Sequence, residues 1–137
     1  MSEVFADAFY YIAISNRTDQ FHAVAMQATG RLQQRIVTTR WVLTEVADAL
    51  SSPAIRRRTH DLLSWIASDS NTTLIGESDR WYERGLALYG SRNDKDWPLT
   101  DCISFEVMRT RGITDALTGD HHFEQAGFRA LLLLPQG

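Results

Sequence analysis

Short apolar runs alternate along the chain with stretches in which apolar residues recur every three to four positions. Polar residues and glycines punctuate the joins. Glu3 to Ala6 predicts a strand ending at Asp7. Phe9, Tyr10 and Ile12 follow, and Ser15-Asn16-Arg17 predicts a turn. Asp19 can cap a helix from Gln20 through Arg35, with Phe21, Val24, Ala25 and Ala28 at helical spacing and Gly30 as a local weakness. Arg35 to Thr38 reads as a second strand. Thr39 then caps a helix carrying Trp41, Val42, Val46, Ala49 and Leu50. Ser51-Ser52-Pro53 breaks that pattern. Pro53 suits the first turn of a helix reaching Ser68, with Ile55, Leu62, Leu63, Trp65 and Ile66 on its apolar side. Thr72 to Ile75 is a third strand, and Ser78 or Asp79 caps a helix through Leu88 that Gly90 terminates. After a polar loop from Ser91 to Trp97, a helix runs from Pro98 to Arg111 and ends at Gly112. Asp115 to Thr118 is a fourth strand, His121 to Ala126 a short helix stopped by Gly127, and Arg129 to Leu134 a fifth strand.

Strands separated by helices predict an α/β fold. A parallel pair needs a long crossover, so the expectation is one domain, residues 1–137, with a parallel five-stranded sheet flanked by helices in three layers. The run Leu131-Leu132-Leu133-Leu134 reads as a strand buried on both faces. Ligands of such sheets sit beyond the carboxyl ends of the strands, where strand order reverses. The residues just after each strand therefore hold the candidate chemistry.

Composition narrows the class. At 137 residues, with 44% hydrophobic and 23% charged residues, the chain matches an ordinary globular domain and excludes a fibre or a disordered tail. Cys102 is the only cysteine, so no intrachain disulfide is possible. Met1 to Phe9 lacks a signal peptide's basic start and apolar core, and no apolar run approaches the ~20 residues that span a bilayer. A cytoplasmic protein without a membrane partner is the expectation. The net charge of −3 does not suggest a nucleic-acid partner by itself, although 13 of the 14 basic residues are Arg and only Lys95 is Lys. Guanidinium pairs bidentately with phosphate, but a GC-rich coding sequence accounts for that ratio better than phosphate recognition does.

Four carboxylates change the picture. Asp7 follows the first strand, Glu45 lies in the helix after the second, Asp101 opens the helix before the fourth, and Asp120 follows the fourth. Singly, each has an ordinary explanation as a helix cap, a turn residue or an exposed helix position. Jointly, all four can collect at one sheet edge. There they would repel one another unless a cation sat between them. An oxygen-only set selects a hard cation, Mg²⁺ or Mn²⁺, as one ion or as two ~4 Å apart. Metal-assisted phosphodiester hydrolysis suits such a site. Without the four acids the charge of −3 becomes +1, so the negative balance is compatible with nucleic acid once the site is filled.

The sequence resembles the PIN-domain family, and within it the VapC-like small ribonucleases of toxin–antitoxin systems. The matching residues are Val4-Phe5-Ala6-Asp7, Thr44-Glu45-Val46, the segment from Trp97 to Phe105, and the segment from Gly112 to Phe128. The last two are long and family-specific. The resemblance implies a Mg²⁺- or Mn²⁺-dependent endoribonuclease with Asp7, Glu45, Asp101 and Asp120 as its catalytic and metal-holding acids. It places Asp7 and Asp120 at the ends of neighbouring central strands. In the implied mechanism Glu45 acts as ligand or proton acceptor, and water attacks single-stranded or looped RNA to leave a 5′-phosphate. Thr118, two positions before the last acid, would share a strand face with Asp120 and orient a water or a carboxylate. A cognate antitoxin entering the acidic groove and a homodimer are implied partners. Ala8 departs from the Thr or Ser common in relatives, which puts one supporting contact in doubt.

Other residues carry weaker signals. Asp94 and Asp96 could approach a metal through water, but the loop reads as solvated surface. Arg56-Arg57-Arg58 could contact phosphates, though a solvated helix face accounts for it. His121 and His122 adjoin Asp120 and could touch substrate, but we expect one at the helix start and one at the surface. Most of the four tryptophans, and Phe123 and Phe128, suit packing, although a tryptophan could stack a base. Cys102 has no His partner and suits burial. Among rival functions, a receiver-like phosphorylation domain needs a Lys after a late strand, and Lys95 lies in a loop. A phosphatase needs a second Asp after the first, where Ala8 and Phe9 stand. A PIN nuclease of RNA processing and a non-catalytic binding module remain as alternatives.

Overall fold

Among the described residues, the alternation of runs and helical patterns folds into a five-stranded parallel sheet with seven helices. The computed structural model describes residues 2–133. The elements are β1 (Glu3–Ala6), α1 (Ala8–Ser15), α2 (His22–Arg31), β2 (Arg35–Thr39), α3 (Arg40–Ala49), α4 (Arg56–Ser68), β3 (Thr72–Ile75), α5 (Asp79–Ser91), α6 (Leu99–Arg111), β4 (Asp115–Leu117), α7 (His121–Gln125) and β5 (Arg129–Ala130). No helix among the described residues is long and apolar enough to cross a membrane.

The strand order is β3-β2-β1-β4-β5, with every pair parallel. The chain steps outward from β1 to β3, returns to the far side of β1, and steps outward again. Strand order thus reverses between β1 and β4. Their register, Ala6 opposite Leu117, brings the residues after both strands together. Right-handed crossovers put the helices of the two halves on opposite sheet faces. Accordingly α1 packs on α2 and α3, and α5 packs on α6. Val4, Phe5, Ala6 and Val37 of the central strands are fully buried.

Local chemistry fixes the boundaries. The Thr39 side chain accepts from Val42 N–H to start α3, and Ser78 accepts from Arg80 N–H to start α5. Gly112 adopts φ 69°, a left-handed conformation that ends α6 while Ile113 N–H donates to the Met108 carbonyl. Gly85 matters for packing instead. A Cβ there would stand 2.9 Å from the backbone Cα of Ile103 on α6. Gly85→Ala is therefore expected to cost about 1–3 kcal/mol by overpacking, read as a lowered midpoint in thermal unfolding. An unchanged midpoint would mean that α5 can shift away freely.

Several boundaries differ from the sequence expectation. Residues 8–15 form a helix, α1, in which Ala8, Tyr10, Tyr11 and Ala13 are all buried. α2 is shorter than Gln20–Arg35: Asp19 organises a turn through Phe21 N–H, and Leu32 is already extended. Pro53 lies in a turn before α4, and α5 continues through Gly90 to Ser91. Trp65 is 57% exposed, not on the packed side of α4. β5 has two residues at the sheet edge. Within the leucine run, Leu132 is buried but Leu133 is 41% exposed, so the run is not buried on both faces; Leu134 lies outside the described residues.

Candidate active site

The loops after β1 and β4 carry the centre of the site. Asp7 precedes α1 in extended backbone and its side chain makes no cap bond, so the helix does not account for its burial. Thr118 lies one residue beyond β4 and its hydroxyl donates to Asp7 Oδ2 at 2.8 Å. The same oxygen accepts from Asp120 N–H at 3.1 Å, which fixes the turn into α7. Thr118 thus steadies Asp7 across the two strands, instead of sharing an extended strand face with Asp120. Gly119 between them lets the Phe9 ring approach, since a Cβ there would stand 2.5 Å from Phe9 Cζ.

Asp101 enters from the first turn of α6 and is buried. Asp120 caps α7, its Oδ1 accepting from His122 N–H at 2.9 Å. That capping turn folds the His122 ring back onto the acids. Its Nδ1 lies 3.2 Å from Asp101 Oδ2 and 3.3 Å from Asp120 Oδ1, and its Nε2 lies 3.3 Å from Asp96 Oδ1. One atom each from Asp101, Asp120 and His122 falls within 4.8 Å of the others, a spacing that could hold a metal ion. The group is therefore not oxygen-only, and His122 is not a surface residue. Asp7 and Glu45 stand outside this tightest group and act on it electrostatically.

The electrostatics are those of anions without enough counter-charge. Asp7 and Asp101 are each only 4% exposed. Burial pushes the Asp7 carboxyl up to about 7, opposed by the Thr118 bond and reinforced by Glu45 and Asp120. Burial pushes Asp101 up to about 9, reinforced by Asp7, Asp120 and Glu45. Glu45, half-buried on α3, is raised by burial and by Asp120 and Asp48, while Thr100 favours its charged form. Among the described residues no Arg or Lys pairs with any of the four.

The remaining candidates fall outside the cluster or at its rim. Asp94 is held in an exposed pair with Arg92, and Asp96 is 87% exposed although it touches His122. Arg56, Arg57 and Arg58 are exposed at the start of α4, with Arg56 donating to the Ser51 carbonyl. His121 is exposed. Phe123 is buried between Phe5 and Phe105, and Phe128 packs on Phe105. Cys102 is buried, and burial with Asp101 and Glu106 pushes its thiol up to about 11, which leaves it inert.

Comparison with known proteins gives a consistent relationship. The chain is 25% identical over 135 residues to the 23S rRNA-specific endonuclease VapC20 of two Mycobacterium tuberculosis strains, covering 91% of this chain and 95% of the relative. The crystal structure of Mycobacterium tuberculosis VapC20, described as a Sarcin-Ricin loop cleaving toxin, superposes with a TM-score of 0.84 at 22% identity, over 91% of this chain and 95% of that one. The chain is VapC-like and has the PIN-domain fold. A chain from a toxin–antitoxin complex of Klebsiella pneumoniae matches this VapC-like chain with a TM-score of 0.60 at 20% identity, over 86% and 87% of the two. No family model matches the sequence.

Proposed function

We propose that this VapC-like chain is a divalent-metal-dependent endoribonuclease and the toxin of a toxin–antitoxin pair. The observation that carries the proposal is the set of uncompensated buried acids at the strand-order switch, with Asp101, Asp120 and His122 within 4.8 Å. The similarity to a 23S rRNA-specific endonuclease supports RNA as the substrate. The similarity to a chain of a toxin–antitoxin complex supports a cognate antitoxin. A homodimer belongs to the same proposal through the family resemblance.

The residues fit a hard cation. They are carboxylates whose mutual repulsion and burial hold protons where a divalent charge would release them. Asp101 and Asp120 would hold the ion from within the tight group, and Asp7 beside them directly or through water. Mg²⁺ or Mn²⁺ bound there would supply a Lewis acid that neutralises phosphoryl charge and makes water acidic near neutral pH. Thr118 keeps Asp7 in position through its 2.8 Å bond. His122 orients the Asp101 and Asp120 carboxylates, as partners behind metal-holding acids do. Glu45, less buried than Asp7 and Asp101, accepts the proton from the attacking water.

The test is cleavage of a looped ribosomal RNA fragment by the purified chain. EDTA is expected to stop it, added Mn²⁺ or Mg²⁺ to restore it, and the new ends to carry a 5′-phosphate. Asp7→Asn is expected to lose cleavage. EDTA-resistant cleavage, or full metal-dependent activity in Asp7→Asn, would overturn the assignment.

A further inference from the structure

Beside the acids lies a cleft of about 330 Å³, formed where the end of α5 meets the loop leading into α6. Tyr89, Arg92, Asn93, Lys95 and Trp97 line it, and Cys102 closes its floor one residue from Asp101. Asp96 forms the lip toward the site and touches His122 Nε2 at 3.3 Å, so cleft and acid cluster are continuous. We propose that this cleft is a nucleotide subsite that holds the RNA strand next to the bond being cut. The inference rests on the ribonuclease reading above.

The wall holds two cations against one fixed ring, with the Asp96 carboxylate at the lip. Trp97 is buried, and its indole N–H donates to Gln125 Oε1 at 2.9 Å, which fixes the ring. Against that ring lie the Arg92 guanidinium, 5.0 Å from the centroid, and the Lys95 ammonium at 5.8 Å. Asp94 grips Arg92 with two bonds of 2.9 and 3.0 Å, which orients the guanidinium and consumes much of its charge. Lys95 forms no ion pair among the described residues, so the single lysine of the chain is the cation available to a phosphate. Tyr89 is 52% exposed and offers a ring face on which a base can stack. The Asn93 amide can donate to and accept from a base edge.

A volume near 330 Å³ admits one nucleotide and not a folded element. A phosphate-sized cation site, a free aromatic face and an amide on one wall match a nucleotide group by group. An acidic peptide would satisfy the cation and leave the aromatic face without a matching partner.

The test uses a single-stranded oligoribonucleotide with the intact chain. Lys95→Gln and Tyr89→Ala are each expected to raise KM about five-fold or more, the lower end for a lost base stack, with kcat within two-fold. Tyr89→Phe is expected to restore KM. In an Asp101→Asn background, where cleavage is blocked, Lys95→Gln is expected to weaken equilibrium binding. It should also flatten the slope of log K against log salt by about 0.7, one phosphate contact on a single strand. Wild-type cleavage with variants of unchanged KM and salt slope overturns the subsite and leaves the ribonuclease reading intact. Lysine-sensitive RNA binding without any cleavage by wild type supports the cleft as a nucleotide site and overturns the ribonuclease reading, and with it the place of that site beside a cut bond. Lysine-sensitive binding of an acidic peptide, with RNA affinity unchanged, overturns the subsite in favour of a protein partner.

Discussion

Asp101→Asn is expected to lower metal-dependent RNA cleavage about a thousand-fold and, in the same protein without metal, to raise the melting temperature at pH 8. The catalytic loss follows from the position of Asp101 in the tight group with Asp120 and His122. A bound metal is worth several kcal/mol of phosphoryl charge stabilisation, and about 4 kcal/mol corresponds to a thousand-fold in rate. The gain in stability has a separate cause. Asp101 is buried beside Asp7, Asp120 and Glu45, and its carboxyl is pushed up to about 9. At pH 8 the unfolded chain leaves that group ionised, whereas the folded chain must bind a proton or bear the repulsion. Asn keeps the shape and removes the charge, so a gain of order 10 °C is expected from a few kcal/mol. At pH 4 the unfolded carboxyl is near its own midpoint and binds a proton much of the time, so the gain should shrink. Cleavage at the wild-type rate, or a lower melting temperature at pH 8, would sink the assignment of Asp101.

Three of the four acids were readable because each stands where the local pattern ends: Asp7 after an apolar strand, Asp120 after another, Asp101 in the opening turn of a helix, whereas Glu45 lies inside α3. Parallel pairing then follows from the need for crossovers, whereas the adjacency of β1 and β4 was legible only through the family resemblance. What was not readable depends on where side chains end up in space. α1 is apolar on most sides because it is buried on most sides, so it shows no stripe of helical period. The leucine run reads as a doubly buried strand, yet β5 lies at the edge and leaves Leu133 exposed. Thr118 was legible as a residue that could orient a carboxylate, but not as one that reaches Asp7 of the neighbouring strand, because β4 ends one residue earlier and turns its hydroxyl onto Asp7. His122 was missed although a signal existed. A residue two positions after a capping acid starts the first helical turn, and its side chain can fold back over the cap. The cleft around Lys95 joins the end of one helix to a loop before another, and no periodicity marks such a junction.

The metal-free protein is expected to lose stability as pH rises from about 4 to 9, and Mn²⁺ to restore it increasingly over the same range. Asp7 and Asp101 have folded-state values of about 7 and about 9, both above the ordinary 3.8. Above pH 4 the unfolded chain releases both protons while the folded chain keeps them. Stability therefore falls with pH, by about 1.4 kcal/mol per unit for each such proton. The decline should ease once Asp7 has titrated near 7 and end once Asp101 has titrated near 9. A divalent ion requires the ionised carboxylates, so it must displace those protons at low pH and meets ready anions at high pH. The Mn²⁺-induced rise in melting temperature should thus be small at pH 5 and large at pH 8. At pH 6, binding should release between one and two protons, measurable by calorimetry in buffers of different ionisation heat. A flat metal-free stability across this range, or a Mn²⁺ shift equal at pH 5 and pH 8, would mean that the buried acids do not carry the charge on which the proposed site depends.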